Sequence, residues 1–401
     1  MPPALRLAML CVAATAACRA PSATAPRPEP PLDLPAGVAD SVASVTLPSG
    51  ARLHTIVNVA APWRAVVLEA DLRCHALQAV KGSATAVGRR TTSALLGSLP
   101  PDARAIGAVN ADFFAFTPNG VLTNAHIEGG RLVTGPDVKP VAWAGTGGAV
   151  GIDTLRVEGT LTTPRGTVAL TRWNRPGARA NGILDAAWGV APDSTIQART
   201  WRLSPVTVGP QREGPARDGR YVVERAWTTR DAAATGDALL LHLTARDREA
   251  VRAGDTVTVA VRVIGTGVQR AGSTVRESVG GRPILVADSA LAPDVDTEGQ
   301  ASFRDLNPRT ALGFDRNGQR VWLAVIDGRQ KGRSMGMTLR QTGELLRALG
   351  AVRGINLDGG GSSALAVREA DGTTRVVNRP SDATGERPVG NALVVRRTCG
   401  G

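Results

Sequence analysis

Aromatic residues are scarce in this 401-residue chain, at 3% with a single tyrosine. A core without rings must come from valine, leucine, isoleucine and alanine. The 43% hydrophobic fraction supplies enough of these for one large domain or two ordinary ones. The same scarcity argues against a groove of stacked rings for polysaccharide or single-stranded nucleic acid. Cysteine is scarce too, being limited to Cys11, Cys18, Cys74 and Cys399. Neither a CxxC pair nor a His-x-x-x-His spacing occurs, which speaks against a structural zinc. Dense basic runs are also missing. The formal charge of +12 is spread over single arginines and pairs such as Arg89-Arg90 and Arg396-Arg397. Nucleic acid is therefore not the expected partner, and the charge reads as a solvated surface with a bias toward anions.

What is present begins with "MPPALRLAMLCVAATAAC", an early Arg6, a short apolar run and small residues ending at Cys18. This is the pattern of a secretory signal over 1–18, too short to span a bilayer. "TAAC" resembles a bacterial lipobox, in which Cys18 is lipidated and anchors the chain to a membrane; an ordinary cleavable signal is the alternative. Residues 19–40 are rich in proline and alanine and read as a tether. One domain is expected over 41–398, in an exported protein of the periplasm or cell envelope. In such a compartment Cys74 and Cys399 are either a disulfide or two separate buried thiols.

Strand signals dominate from residue 40. "AVVLEADL" (65–72) and "VTVAVRVIG" (257–265) alternate with period two. "RNGQ" (316–319) centres a hairpin. Helix signals are few: "TTSALLGSL" (91–99) opens with a threonine cap. "TLRQTGELLRALGA" (338–351) has a cap at Thr338, a leucine stripe and a terminating Gly350. The sum points to an α+β class, a mixed or antiparallel sheet core with few helices.

The segment richest in chemistry is "INLDGGGSSALAV" (355–367). Asn356 and Asp358 lie two apart at a strand end and share a face, opposite Ile355 and Leu357. Gly359, Gly360 and Gly361 let backbone approach a ligand, and their N–H groups with Ser362 and Ser363 suit an anion. No lysine follows the glycines, so this is not a Walker loop, and no Gly-x-Ser-x-Gly elbow is present. "NPRTALGF" (307–314) offers Arg309, a planar clamp for phosphate or carboxylate. "VIDGR" (325–329) places Asp327 before a glycine, and "VNADFF" (109–114) places Asn110 and Asp112 at another strand end.

In their order, "VNADFF", "NGVLTNAHIEGGRLV", "NPRTALG", "VIDGR", the capped helix, "NLDGGGSS" and "VGNALVV" resemble the phosphodiester glycosidase family over roughly 45–398. "ALTRWNRPGARANGILDAAWG" is similar to that family's Asn-Arg segment. Asp112 departs from the family, where many members carry glycine. The resemblance implies hydrolysis of a sugar-1-phosphodiester, of N-acetylglucosamine type, at the anomeric C–O bond. Asp358, Asp327 and Asp112 are then the candidate acid, base or nucleophile, without assignment among them. Arg309 and the glycine loop would stabilise the departing phosphate. Asn110, Asn356 and Asn391 would hold sugar hydroxyls. No cofactor is expected, though a divalent cation on the three aspartates suits hard oxygen ligands. A rival reading is a non-catalytic envelope lipoprotein that binds an anionic glycan. A serine hydrolase acting through Ser362 is disfavoured, since the four histidines lie in no triad motif.

Overall fold

The computed structural model describes residues 32–192, 196, 200–210, 214–227, 233–293, 295–296 and 304–400. The expected signal, Cys18 and most of the tether lie outside these residues. The described end of the tether packs Leu32, Leu34 and Val38 against the folded body.

Two antiparallel sheets face each other. The first runs, in spatial order, Ser41–Thr46, Arg52–Asn58, Trp63–Asp71, Arg320–Ile326, Arg309–Phe314, Arg353–Asn356, Ile284–Ala287 and Ala290–Leu291. The second runs Thr374–Val376, Leu365–Arg368, Ala105–Asn110, Ala392–Arg397 and His75–Val80. Val66, Leu68, Leu312, Leu323 and Ile355 of the first meet Leu77, Val109, Leu365 and Val395 of the second in one apolar core. The segment "VWLAVI" does not alternate because its strand is buried on both faces. Val321, Leu323 and Val325 point between the sheets, whereas Trp322, Ala324 and Ile326 point outward.

The helix Leu339–Ala348 covers that outward face with Leu345 and Leu346. Its start is fixed by a capping box, in which the Thr338 hydroxyl accepts from the Gln341 N–H and the Gln341 side chain accepts from the Thr338 N–H. On the outer face of the second sheet, the helix Thr92–Gly97 packs Leu95 and Leu96 over Ala108, Ala366 and Val394.

The middle of the chain builds a further eight-stranded sheet and a five-stranded sheet that share one core around Trp143, Leu161, Tyr221 and Val259. Thr256–Ile264 shows the expected period two, with Val257, Val259 and Val261 buried and Thr258 and Arg262 exposed.

The expected α+β class is corrected by this architecture. Among the described residues the three α-helices are 6, 5 and 10 residues long, and four β-sheets make up the body, so the fold is mostly β. The physical reason is coverage: each helix shields a patch of one sheet and none forms a layer. Cys74 and Cys399 are joined as a disulfide, with Cα atoms 4.8 Å apart. Among the described residues, no helix is long and apolar enough to cross a membrane.

Candidate active site

The site lies where the two sheets end together. Arg309 opens its strand there, and the strands ending at Ile326, Asn356 and Asn110 close there. The strand of the "NLD" segment stops at Asn356, so Leu357 and Asp358 bridge to the other sheet. Leu357 N–H donates to Thr310 O at 2.8 Å and Asp358 N–H donates to Ala111 O at 2.8 Å. The Asn110 Nδ2 donates to the Asp358 carbonyl at 2.6 Å, while its Oδ1 accepts from Thr310 Oγ1 and the Ala364 N–H. Asn110 is thus a fully engaged latch that locks Asp358 in place.

Asp358 opens into a pocket of about 170 Å³, lined also by Phe113, Asn307, Arg309, Arg329, Asn356, Gly359, Gly360, Gly361 and Arg387. Residues 359–361 wrap the pocket tightly. Gly360 has φ of +63°, and a Cβ there would meet the Arg329 guanidinium at 3.3 Å.

Three guanidiniums face one carboxyl. Arg309 is 3% exposed and donates to the carbonyls of Met337 at 2.9 Å and Asp305 at 2.7 Å. Burial, with Arg329 nearby, lowers its pKa to about 10, so it stays cationic at neutral pH. Arg329 is exposed, donates to Asn307 Oδ1 at 3.0 Å, and sits at φ of +59°. A side chain held in that region costs on the order of 1–3 kcal/mol, a strain that clusters at functional sites. Arg387 pairs with Asp382 through bonds of 2.8 and 3.1 Å. Burial pushes the Asp358 carboxyl up to about 6, opposed by Ser362, Arg387 and the Gly359 N–H. The buried Ser362 hydroxyl favours the charged form of this carboxyl.

Of the expected residues, Asp358, Arg309, Asn356 and Gly359–Gly361 line the pocket. Asn356 is 1% exposed; its Nδ2 donates to Arg282 O at 2.7 Å and its Oδ1 has no partner among the described residues. The others stand behind. Asp327 is buried, accepting from the Arg379 N–H at 2.8 Å and from Asn378 at 3.2 Å; burial raises its pKa. Asp112 is 1% exposed and accepts from the Asn124 N–H at 3.1 Å. Burial pushes it up to about 7; Arg175 lowers it and the Asp358 charge adds to the rise. Asn391 accepts from the Asp112 N–H at 2.8 Å and its Nδ2 lies 3.2 Å from His126 Nδ1. Ser362 and Ser363 are buried beneath the loop.

Phe113, Asn307, Arg329 and Arg387 escaped the sequence reading. The first three lie inside the motifs already singled out, and that neighbourhood was the available signal. Arg387 carried none, being one arginine among many. Among the described residues, no three His, Cys, Asp or Glu side chains group to hold a metal ion.

Residues 207–396 match the family model described as phosphodiester glycosidase. The match begins after "VNADFF", so that segment stands on geometry alone. No curated protein matches. Of the solved structures that share the fold, two are as follows. One is a hypothetical protein from Synechocystis, 20% identical, with a TM-score of 0.67 over 89% of this chain. The chain spans 64% of that protein's length. The other is a Burkholderia pseudomallei protein whose name marks it as a proposed exported protein, 23% identical, with a TM-score of 0.60 over 83% of this chain and 74% of that one. The catalytic domain of zebrafish N-acetylglucosamine-1-phosphodiester alpha-N-acetylglucosaminidase aligns at a TM-score of 0.45 and 14% identity, over 89% of this chain and 82% of that one.

Proposed function

We propose that this chain, whose residues 207–396 match the phosphodiester glycosidases, hydrolyses a sugar-1-phosphodiester of N-acetylglucosamine type at the anomeric C–O bond. The observation that carries this reading is a single carboxyl, Asp358, opening into a pocket faced by Arg309, Arg329 and Arg387. Guanidiniums are suited to the phosphodiester, the planar fork matching two phosphoryl oxygens. The leaving group is a phosphomonoester, whose second pKa is about 6. It departs near neutral pH without a strong general acid, so one carboxylate in the pocket is enough.

Asp358, ionised above about pH 6, supplies the negative charge that an oxocarbenium-like transition state requires, as nucleophile or as base toward water. The unpartnered Asn356 Oδ1 accepts a sugar hydroxyl, and the Phe113 ring offers the sugar an apolar wall. Asp112 and Asp327 act as supports. The same reading places the protein outside the cytoplasm, anchored through an acylated Cys18; an unmodified mature chain that keeps Met1 in its host contradicts this part.

The test is release of free sugar from an aryl phosphodiester of N-acetylglucosamine-1-phosphate. Asp358→Asn keeps shape and removes charge. It should lower turnover at least ~100-fold, the low end for a positioned acid or base, in a folded protein. Undiminished turnover in that variant removes Asp358 from the chemistry. Binding of the diester without any release by the wild type makes the chain a glycan-binding lipoprotein instead.

A further inference from the structure

A second constellation lies on the outer face of the eight-stranded sheet that contains Arg309. It involves three neighbouring strands, Ser41–Thr46, Arg52–Asn58 and Trp63–Asp71. Ser44 is paired directly with His54, and Glu69 lies diagonally across from His54 on the next strand. Their side chains form a chain of two hydrogen bonds: Ser44 Oγ to His54 Nδ1 at 2.7 Å, and His54 Nε2 to Glu69 Oε2 at 2.8 Å. Arg320 holds the second carboxylate oxygen of Glu69 at 3.3 Å. Ser44 is exposed, whereas His54 is 0% and Glu69 4% exposed.

The register supplies another part. The Leu47 N–H donates to Ala51 O at 2.8 Å, which makes 47 and 51 a hydrogen-bonded pair. Counting back by the alternation of an antiparallel ladder, Ser44 and His54 are a non-hydrogen-bonded pair, where side chains come closest. The Ser44 N–H therefore points away from its neighbour strand, and Ser41–Thr46 is the edge of the sheet. A nucleophile's own N–H is a usual donor to the oxyanion of an acyl-transfer intermediate.

We propose that Ser44, His54 and Glu69 form a nucleophilic triad that cleaves carboxylic esters of acidic alcohols such as phenols. Ser44 Oγ forms a bond to the acyl carbon and its proton passes to His54 Nδ1. Glu69, accepting from Nε2–H, fixes the tautomer that leaves Nδ1 free to receive it. The carbonyl oxygen, now negative, faces the Ser44 N–H, and the C–O bond to the alcohol breaks. His54 is sealed from solvent, so it does not protonate the departing oxygen; this restricts the substrate to alcohols that leave as anions. Water then attacks the acyl carbon and gives up a proton to the solvent. Ser44 Oγ leaves, recovering its own proton from His54.

The experiment treats the full chain with a fluorophosphonate probe and maps the adduct by mass spectrometry. A parallel assay follows nitrophenol release from 4-nitrophenyl acetate. The expected result is an adduct on Ser44 that forms at least ten times faster than in urea-unfolded protein. Ser44→Ala should abolish both the adduct and nitrophenol release above background, while sugar release from the phosphodiester is unchanged. Glu69→Gln, which keeps the shape, should slow labelling at least tenfold. No adduct on Ser44 in the folded protein overturns the proposal. So does an adduct that forms at the unfolded rate or is indifferent to Glu69→Gln.

Discussion

At the scale of single residues, the pocket separates groups that touch a ligand from groups that hold them. Arg329 is at the exposed rim, and its Nε donates to Asn307 Oδ1. Arg329→Gln should raise KM about tenfold or more while sparing kcat, since a charge-assisted hydrogen bond is worth about 1.5–3 kcal/mol. Steady-state kinetics on the diester checks this split. Asp112 gives a pH effect of a different kind. Its carboxyl is raised from 3.8 to about 7 in the folded protein. Between about pH 4 and pH 7 the folded state keeps a proton that the unfolded state releases. The stability tied to that proton is complete below the unfolded pKa and is lost as pH rises through about 7. Urea unfolding at pH 5 and pH 8 should show a fall for the wild type and a smaller fall for Asp112→Asn.

Six of the expected site residues line the pocket, and they were legible because glycine repeats and strand-end polar residues carry a local cost that calls for a cause. The split between lining and support was not legible. Asn110 and Asn356 both end strands with an amide, yet one is consumed by Thr310, Ala364 and Asp358 and the other keeps a bare Oδ1. Only tertiary pairing makes that difference. Arg387 was hidden for the opposite reason: unlike Arg309, it lies in no motif, and there are too many arginines for it to stand out.

At the scale of elements, the helix Leu339–Ala348 was legible to its cap, because Thr338 and Gln341 satisfy each other's end locally. Thr338→Ala should cost about 1 kcal/mol of stability, the usual value of an N-cap, measurable as a lower urea midpoint with an unchanged slope. The class of the fold was misread from those same signals. Capped helices declare themselves over ten residues, whereas short strands such as Gly182–Leu184 and Leu239–His242, buried throughout, show no alternation to count. Weighting elements by clarity overstated the helices.

At the scale of the whole molecule, the Cys74–Cys399 bond ties residues separated by 325 positions. Closing so long a loop is worth about 5 kcal/mol in the chain-entropy model. Reduction should therefore lower the unfolding midpoint strongly, and Cys74→Ser should reproduce the effect. Melting with and without dithiothreitol measures both. An unchanged midpoint on verified reduction would show that the linked ends hold by packing alone.

The placement of strand Ala105–Asn110 also matters during synthesis. Its two ladder neighbours, Leu365–Arg368 and Ala392–Arg397, are made last, and its Asn110 side chain waits for a partner 254 residues away. At roughly 5–20 residues per second, that wait is on the order of 10–50 s. The middle eight-stranded sheet, whose strands all lie between residues 156 and 264, can assemble while the outer sandwich is still half made. A ribosome stalled before residue 365 would thus carry a finished middle and an unpaired, wholly apolar "AIGAV" strand, a natural client for whatever holds nascent chains apart.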